Sequence, residues 1–317
     1  MYHYVRDLVN TRYPEIKGLH IEAFYNQIEY LRKHYNIVTT EEVIYHIENG
    51  SDLPPKSALL TFDDGYIDHY INVFPVLSNF GIQGSFYIPV KAITEHALLD
   101  VNKIHFILAA SQNKIDIVND LKEILSYYRE EYQLQTFDYY YKKLAIESRY
   151  DSKEVIFIKR LLQVELIEEL RLKIVSSLFE KYIGFPEHVF ARELYMSKEQ
   201  LILMRKNGMH IGSHGYNHYW WNSLNETDLA IELDKSISFL KEIGVDLKNW
   251  TACYPYGSFD EQAVNMLNDR GCKMAVTTQV DIANINKVHK LLLPRLDTND
   301  FPKDKNGVVN DWYMKAL

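Results

Sequence analysis

The chain has 317 residues, 47% hydrophobic and 25% charged, which excludes a disordered chain and suits one large domain or two modest ones. Its formal net charge of -8 and isoelectric point near 5.9 exclude the basic excess with which nucleic-acid-wrapping proteins neutralise phosphate. No apolar stretch approaches the roughly 18 residues needed to span a bilayer, and the opening "MYHYVRDLVNTRYPEIKG" lacks the apolar core of a signal peptide, so the expectation is a cytoplasmic protein without a membrane span.

In chain order, "MYHYV" is a short β-prone start. The segment "IEAFYNQIEYLRKHY" places Ile21, Phe24, Tyr25, Ile28, Leu31 and Tyr35 at helical spacing. "NIVTTEEVIYHIENG" predicts a strand and then a Thr-capped helix closed by Gly50, and "LPPKSALLTF" a buried strand ending at Phe62. The alternation repeats with a helix over "YIDHYINVFPVLSNFG" and a strand at "GSFYIPV". Residues 97–194 break the rhythm: Leu162, Leu166, Leu170, Ile174 and Leu178 form an i, i+4 row, and the stretch predicts a largely helical insertion. Its tyrosine clusters, "SYYREEY" and "FDYYYKK", read as half-buried packing or as a binding surface.

Beyond it, "SKEQLILMRKNG" is a helix opened by Ser197, "MHIGS" a strand, and "NETDLAIELDKSISFLKEIG" a helix with Leu229, Leu233, Ile237, Leu240 and Ile243 on one stripe. The strand "WTACYP", the helix "DEQAVNMLNDRG" and the strands "KMAVTT" and "KLLLPRL" follow. The alternation predicts an α/β fold with a mainly parallel sheet. Cys253 and Cys272, two thiols in a chain without a leader, are expected to be reduced and buried, with no chemistry of their own.

Three stretches carry candidate chemistry. In "LLTFDDG", Asp63 and Asp64 sit side by side before a glycine; taken alone they read as a solvated turn pair, and only beside a second feature as chemistry. In "GMHIGSHGYNHYWW", His214 and His218 are four apart, on one side of the chain if the segment makes a helical turn; among 12 histidines about 0.4 such pairs arise by chance. Both features fall at ends of predicted strands, where α/β sheets carry their sites, and two imidazoles plus one carboxylate make a three-ligand site for zinc or a similar ion. One aspartate then serves the metal while its neighbour takes a proton from water. In "ACYPYGSFD", Pro255 and Gly257 bend the backbone, either as a plain loop or to aim the Tyr256 amide at an oxyanion.

With "TFDDG", "SHGYNH" and "YPYG" in this order, the chain resembles the polysaccharide deacetylases of carbohydrate esterase family 4, the NodB homology domain, over roughly residues 1–95 and 195–300. The resemblance implies a distorted (β/α) barrel and metal-dependent removal of an N-acetyl group from an amino sugar. It assigns Asp63 as general base, Asp64, His214 and His218 as metal ligands, and the Tyr256 amide to the oxyanion. Two positions depart: Cys253 stands where many members have arginine, and "LLLPRLD" offers Arg295 where many have a catalytic histidine. A permuted subset, resembling poly-N-acetylglucosamine deacetylases, carries that histidine on the first strand in a "YH" context. "MYHYV" fits, which makes His3 the candidate acid and Arg295 a partner that keeps the base ionised.

The expected reaction is therefore amide hydrolysis with zinc as the favoured metal. Expected substrates are nucleotide-linked or lipid-linked amino sugars destined for O-antigen or capsule, with an isologous dimer through the insertion. Formamide, O-acetyl ester and cyclic amide substrates on the same site, or a non-catalytic sugar-binding protein, stay open; retention of Asp63, which a metal does not need, speaks against the last.

Overall fold

The structure, a computed structural model, describes residues 1–148 and 151–316. It divides into two compact units, one of Met1–Asp7, Gly18–Ala97 and Ala191–Leu317, the other of Leu8–Lys17 and Leu98–Phe190.

All nine strands among the described residues lie in the first unit: β1 Val5–Arg6, β2 Leu19–His20, β3 Asn36–Ile37, β4 Ser57–Ala58, β5 Thr61–Asp63, β6 Ser85–Ile88, β7 His210–Ser213, β8 Thr251–Cys253 and β9 Met274–Val276. Every pairing between them is parallel, and the central sheet runs β5-β6-β7-β8-β9. Each residue of these five strands is buried, as expected where both faces of a parallel sheet are covered.

Irregular segments extend both edges. The amide of Tyr2 donates to Thr61 O and that of Asp63 to Tyr2 O, so the N-terminal residues run beside β5. At the other edge Leu293 bridges to Val276. The Leu293 amide donates to Ala275 O and its carbonyl accepts from Thr277, but the Arg295 amide reaches on to Gln279 O instead of Thr277 O, so the ladder stops and "KLLLPRL", read as a strand, contributes a bridge only. The expected single strand "LPPKSALLTF" is also two: Ser57 and Ala58 pair with β3, whereas Thr61–Asp63 pair with β6, and the chain changes partners at Leu59 and Leu60.

Helices open on caps legible in the sequence. Thr39 and Glu42 form a capping box before Thr40–Asn49, Ser197 and Gln200 another before Lys198–Lys206, and Asn225 caps Glu226–Glu242. The stripe of the last helix buries Leu229, Leu233 and Leu240. Tyr25, expected on the buried face of Ile21–His34, is instead 40% exposed, and Gln27 is buried, donating to the carbonyls of Thr298, Phe301 and Pro302.

The second unit is helical, with Asp100–Ala110, Lys114–Tyr128, Phe137–Leu144, Lys153–Arg160 and Glu168–Ile183 as its main elements. Leu162, Leu166, Leu170, Ile174 and Leu178 are all buried, but not on one helix: Leu166 is extended (φ -83°, ψ 154°) and breaks the row before Glu168–Ile183 begins. Among the described residues no helix is long and apolar enough to cross a membrane.

Candidate active site

Strand β5 delivers Asp63 at its last position, and Asp64 leaves the strand with φ 76°. Successive strand residues face opposite sides, so without this turn the two carboxylates would diverge. With it, each falls in a buried cluster that contains His214: Asp63 with His214 and Cys253, Asp64 with His214 and His218. Three of the six non-glycine residues with positive φ among the described residues stand here, Asp64, His218 and Tyr256, a concentration of backbone strain typical of functional sites.

Asp63 is clasped by Arg295. Nη1 donates to Oδ1 at 2.9 Å and Nη2 to Oδ2 at 2.7 Å, a two-pronged pair. The remaining guanidinium hydrogens go to Thr61 Oγ1, Thr277 O and Cys253 Sγ, so every N–H of this buried cation is used. Burial alone would raise the Asp63 carboxyl; the charge and hydrogen bonds of Arg295 outweigh it and hold the group well below the usual carboxylate range. His3 Nε2 stands 3.9 Å from Asp63 Oδ2 on a side chain 42% exposed. His3 and Arg295 lie on opposite edge segments of the sheet, yet both reach Asp63, so the sheet of this unit curls until its edges meet at that carboxylate.

Asp64 has different company. Its Oδ1 lies 3.3 Å from His214 Nε2 and 3.4 Å from His218 Nε2, and those two nitrogens are 3.2 Å apart. Tyr66 donates its hydroxyl to Oδ2 at 2.6 Å. His214 Nδ1 donates to the Cys253 carbonyl at 2.8 Å, so whenever the ring is neutral its lone pair is on Nε2; burial lowers this imidazole, but Cys253 and Asp64 outweigh it and hold the group well above the usual histidine range, a proton that a bound cation would displace. Burial lowers the His218 imidazole, favouring its neutral form. Three donor atoms thus converge on one point, and ligand atoms of Asp64, His214 and His218 all lie within 4.8 Å of one another. A nitrogen, nitrogen and oxygen donor set of this kind fits zinc or a similar divalent ion.

The histidines meet through bends rather than the helical turn that HxxxH spacing suggested. Gly215 has φ 76°, and a Cβ there would stand 3.2 Å from Glu232 Oε2. Glu232, buried on Glu226–Glu242, accepts the amides of Tyr216 and Asn217 at 3.0 and 2.9 Å and fixes the loop. The ring of Tyr256 stacks on Trp220 at 4.5 Å and meets the His218 ring edgewise at 4.6 Å. The turn after it requires glycine: a Cβ on Gly257, at φ 69°, would fall 1.9 Å from Thr278 Oγ1.

The first strand is anchored by residues the sequence reading passed over. His69, buried and pushed down to about 4 by desolvation, is neutral and donates Nε2–H to the His3 carbonyl at 2.8 Å. Asp68 accepts the Val5 amide at 3.2 Å and the Arg6 guanidinium at 2.8 and 2.9 Å. Tyr66, Asp68 and His69 follow "TFDDG" within six residues, a proximity that was a usable signal. Glu232 offered a weaker one, a carboxylate on an apolar stripe. Cys253, expected to have no chemistry, is buried and free, but its thiol faces Asp63 Oδ2 at 3.5 Å.

Comparison with known proteins bears on the fold and on family likeness. Residues 165–275, which include His214, His218 and Tyr256, match the family described as Polysaccharide deacetylase. YxkH of Bacillus subtilis (strain 168), provisionally named a polysaccharide deacetylase, is 28% identical over 94 residues, 29% of this chain and 32% of that protein, so the match spans about a third of the relative's length. The deacetylase PplD of Streptococcus pyogenes, solved with acetate, has the same fold at TM-score 0.56 and 16% identity over 93% of this chain and 89% of its own. IcaB from Ammonifex degensii gives TM-score 0.54 and 20% identity over 94% and 91%. The fold is accordingly α/β, with the parallel, curled sheet of the deacetylase (β/α) barrel.

Proposed function

We propose that this relative of the polysaccharide deacetylases hydrolyses the N-acetyl group of an amino sugar, with Asp64, His214 and His218 holding a divalent ion, zinc by preference. The observation that carries the reading is the division between adjacent carboxylates: one lies beside the Nε2 atoms of two imidazoles, the other is kept ionised by Arg295 and has no place in that ligand set.

When bound, the ion polarises the acyl carbonyl and makes water more acidic. Asp63 takes the proton of the attacking water as the new C–O bond forms, and Arg295 holds the carboxylate in its ionised, fixed orientation until then. The backbone amide of Tyr256 steadies the developing oxyanion. As the C–N bond breaks, His3 hands a proton to the departing amine, releasing acetate and the free amino sugar. His69 and Asp68 act through the backbone of the first strand, holding His3 in position. Within the substrate class we place a nucleotide-linked or lipid-linked precursor of O-antigen or capsule, in the cytoplasm, on the family-level association of this chemistry with surface polysaccharide. The helical residues 97–194 are proposed as an insertion that carries a dimer contact.

The test is metal content and turnover of N-acetylhexosamine conjugates and of an N-acetylglucosamine polymer, wild type against Asp63→Asn. Metal should be retained and turnover should fall by about 10²–10⁴-fold in the variant. A wild type that binds metal but releases no acetate from any of these substrates refutes the deacetylase reading, and turnover of a formyl or O-acetyl analogue instead reassigns the substrate.

A further inference from the structure

Of the two tyrosine clusters in the helical unit, one is used in packing and the other is not. In "FDYYYKK", Tyr140 is buried, and Phe137 and Tyr141 lie against Phe157 with ring centroids 5.5 and 5.0 Å away. In "SYYREEY", by contrast, Tyr127 is 80% exposed. Its ring is held nonetheless: it meets Tyr128 edge to face at 4.9 Å, and Tyr128 meets Tyr132 in the same way at 5.7 Å. A ring so placed adds little to the core, whereas rigid, amphipathic tyrosines are favoured contact groups in binding surfaces.

Tyr127 and Tyr128 line a cleft of about 300 Å³ between the helices Lys114–Tyr128 and Glu168–Ile183. The two helices are tied together on either side of it. At one end Lys181 and Tyr182 both donate to Asp120, at 2.7 and 2.8 Å. At the other, Tyr132 and Lys173 both donate to Glu169 Oε1 at 2.8 Å. Between these ties the cleft is apolar on one side, with Ile174 buried and Ile124 half-buried. Its polar groups are unanswered: the Glu123 carboxylate and the Ser177 hydroxyl make no hydrogen bond or ion pair among the described residues. Lys173, the cation of the lining, is already bonded to Glu169 and Tyr132, which leaves Glu123 as the uncompensated charge of the cleft.

This combination selects among occupants. A hydrocarbon would leave Glu123 and Ser177 unanswered, and an anion would meet an unpaired carboxylate. The volume is at the small end of ligand clefts, which run from roughly 300 to 1,000 Å³, so it suits one ring rather than a protein segment. A pyranose offers a face of C–H groups and a rim of hydroxyls that both donate and accept; an amino sugar adds an ammonium. We propose that this cleft binds a hexosamine unit whose amine is free. Its C–H face lies on the Tyr127 ring, a hydroxyl reaches Ser177, and the ammonium pairs with Glu123. The inference rests on the proposed reaction for the source of such a ring, since hydrolysis of the amide C–N bond releases acetate and leaves the amine, which takes up a proton at neutral pH.

The experiment is titration of the full chain with glucosamine tetramer and, separately, N-acetylglucosamine tetramer, followed by ligand-observed nuclear magnetic resonance. It is run on wild type and on His214→Ala, whose motif site should hold no metal and turn over neither ligand. Glucosamine tetramer should bind both chains saturably, and in His214→Ala the N-acetylated tetramer should bind about three- to fivefold more weakly. Adding Glu123→Gln to His214→Ala should weaken glucosamine tetramer by the same factor, remove its salt dependence and leave the N-acetylated tetramer unchanged. Adding Tyr127→Ala should weaken both about five- to tenfold. Both side chains are exposed, so melting should stay at the parent value. No saturable binding of glucosamine tetramer to His214→Ala, or binding untouched by both substitutions, overturns the proposal. Equal affinity for the two tetramers, or equal loss of both in the Glu123→Gln chain, overturns the assigned amine. If wild type releases no acetate from any substrate while these affinities hold, the proposed reaction falls and the cleft stands.

Discussion

Asp63 and Asp64 are neighbours in sequence and nearly equal in burial, 2% and 5% exposed, yet their surroundings have little in common. Asp63 faces a permanent cation whose hydrogen bonds are all committed. Asp64 faces two imidazoles and a phenol, none of which needs to carry charge. Burial pushes both carboxyls upward; Arg295 prevails at Asp63, and at Asp64 hydrogen bonds from His214 and His218, donated when their Nε2 atoms carry protons, prevail as well, so both groups lie below the ordinary range. A guanidinium keeps its protons, whereas imidazoles can give theirs up to a cation that then claims the carboxylate. The partners, brought from up to 232 residues away, set the role of each aspartate.

Substitutions that move one aspartate's surroundings toward the other's test the contrast. The largest effect is expected from His214→Ala, which removes the imidazole common to both clusters: metal content measured by atomic absorption should drop to background and turnover with it, while melting stays near wild type. Arg295→Met should behave in the opposite way, retaining metal but leaving a buried carboxylate without its cation. Thermal or denaturant unfolding should show a loss of about 3–5 kcal/mol. Wild-type stability in that variant would mean that Asp63 does not depend on the pair. The smallest effect is expected from Tyr66→Phe, which removes one hydrogen bond from Asp64 Oδ2. Metal affinity by competition with a chelator should weaken about tenfold, with Asp63 and its pair undisturbed.

What the sequence made legible was local. "TFDDG", "SHGYNH" and "YPYG" each announce a strand end by composition, and the alternation of periods was enough to expect a parallel α/β sheet. Caps such as Thr39 and Ser197 were readable because a cap and its partner lie three residues apart. What stayed hidden depends on closure in three dimensions. That Leu8–Lys17 groups with the helical residues rather than with its flanking strands left no trace in periodicity. The i, i+4 row around Leu166 looked continuous because burial on two elements can imitate the spacing of one. HxxxH likewise suggested a turn of helix, while positive φ at Gly215 and His218 brought the same rings together by another path. The place of the Cys253 thiol, beside an aspartate 190 positions earlier, had no sequence signal.

The meeting of both sheet edges at Asp63 also bears on the order in which the site can come into being. A ribosome that has delivered residues 1–260 has supplied His3, both aspartates, both histidines and Tyr256, but not Arg295. Until residue 295 is delivered the proposed base is thus a carboxylate without its counter-ion, and burying it then would carry the penalty of an unpaired charge. The curled sheet gains its electrostatic reason to close only when the segment after β9 emerges, since that segment brings both the far edge and the guanidinium. Maturation of the site is thereby tied to delivery of residue 295, and a truncation before it should stall with its sheet open at the edge where Asp63 waits.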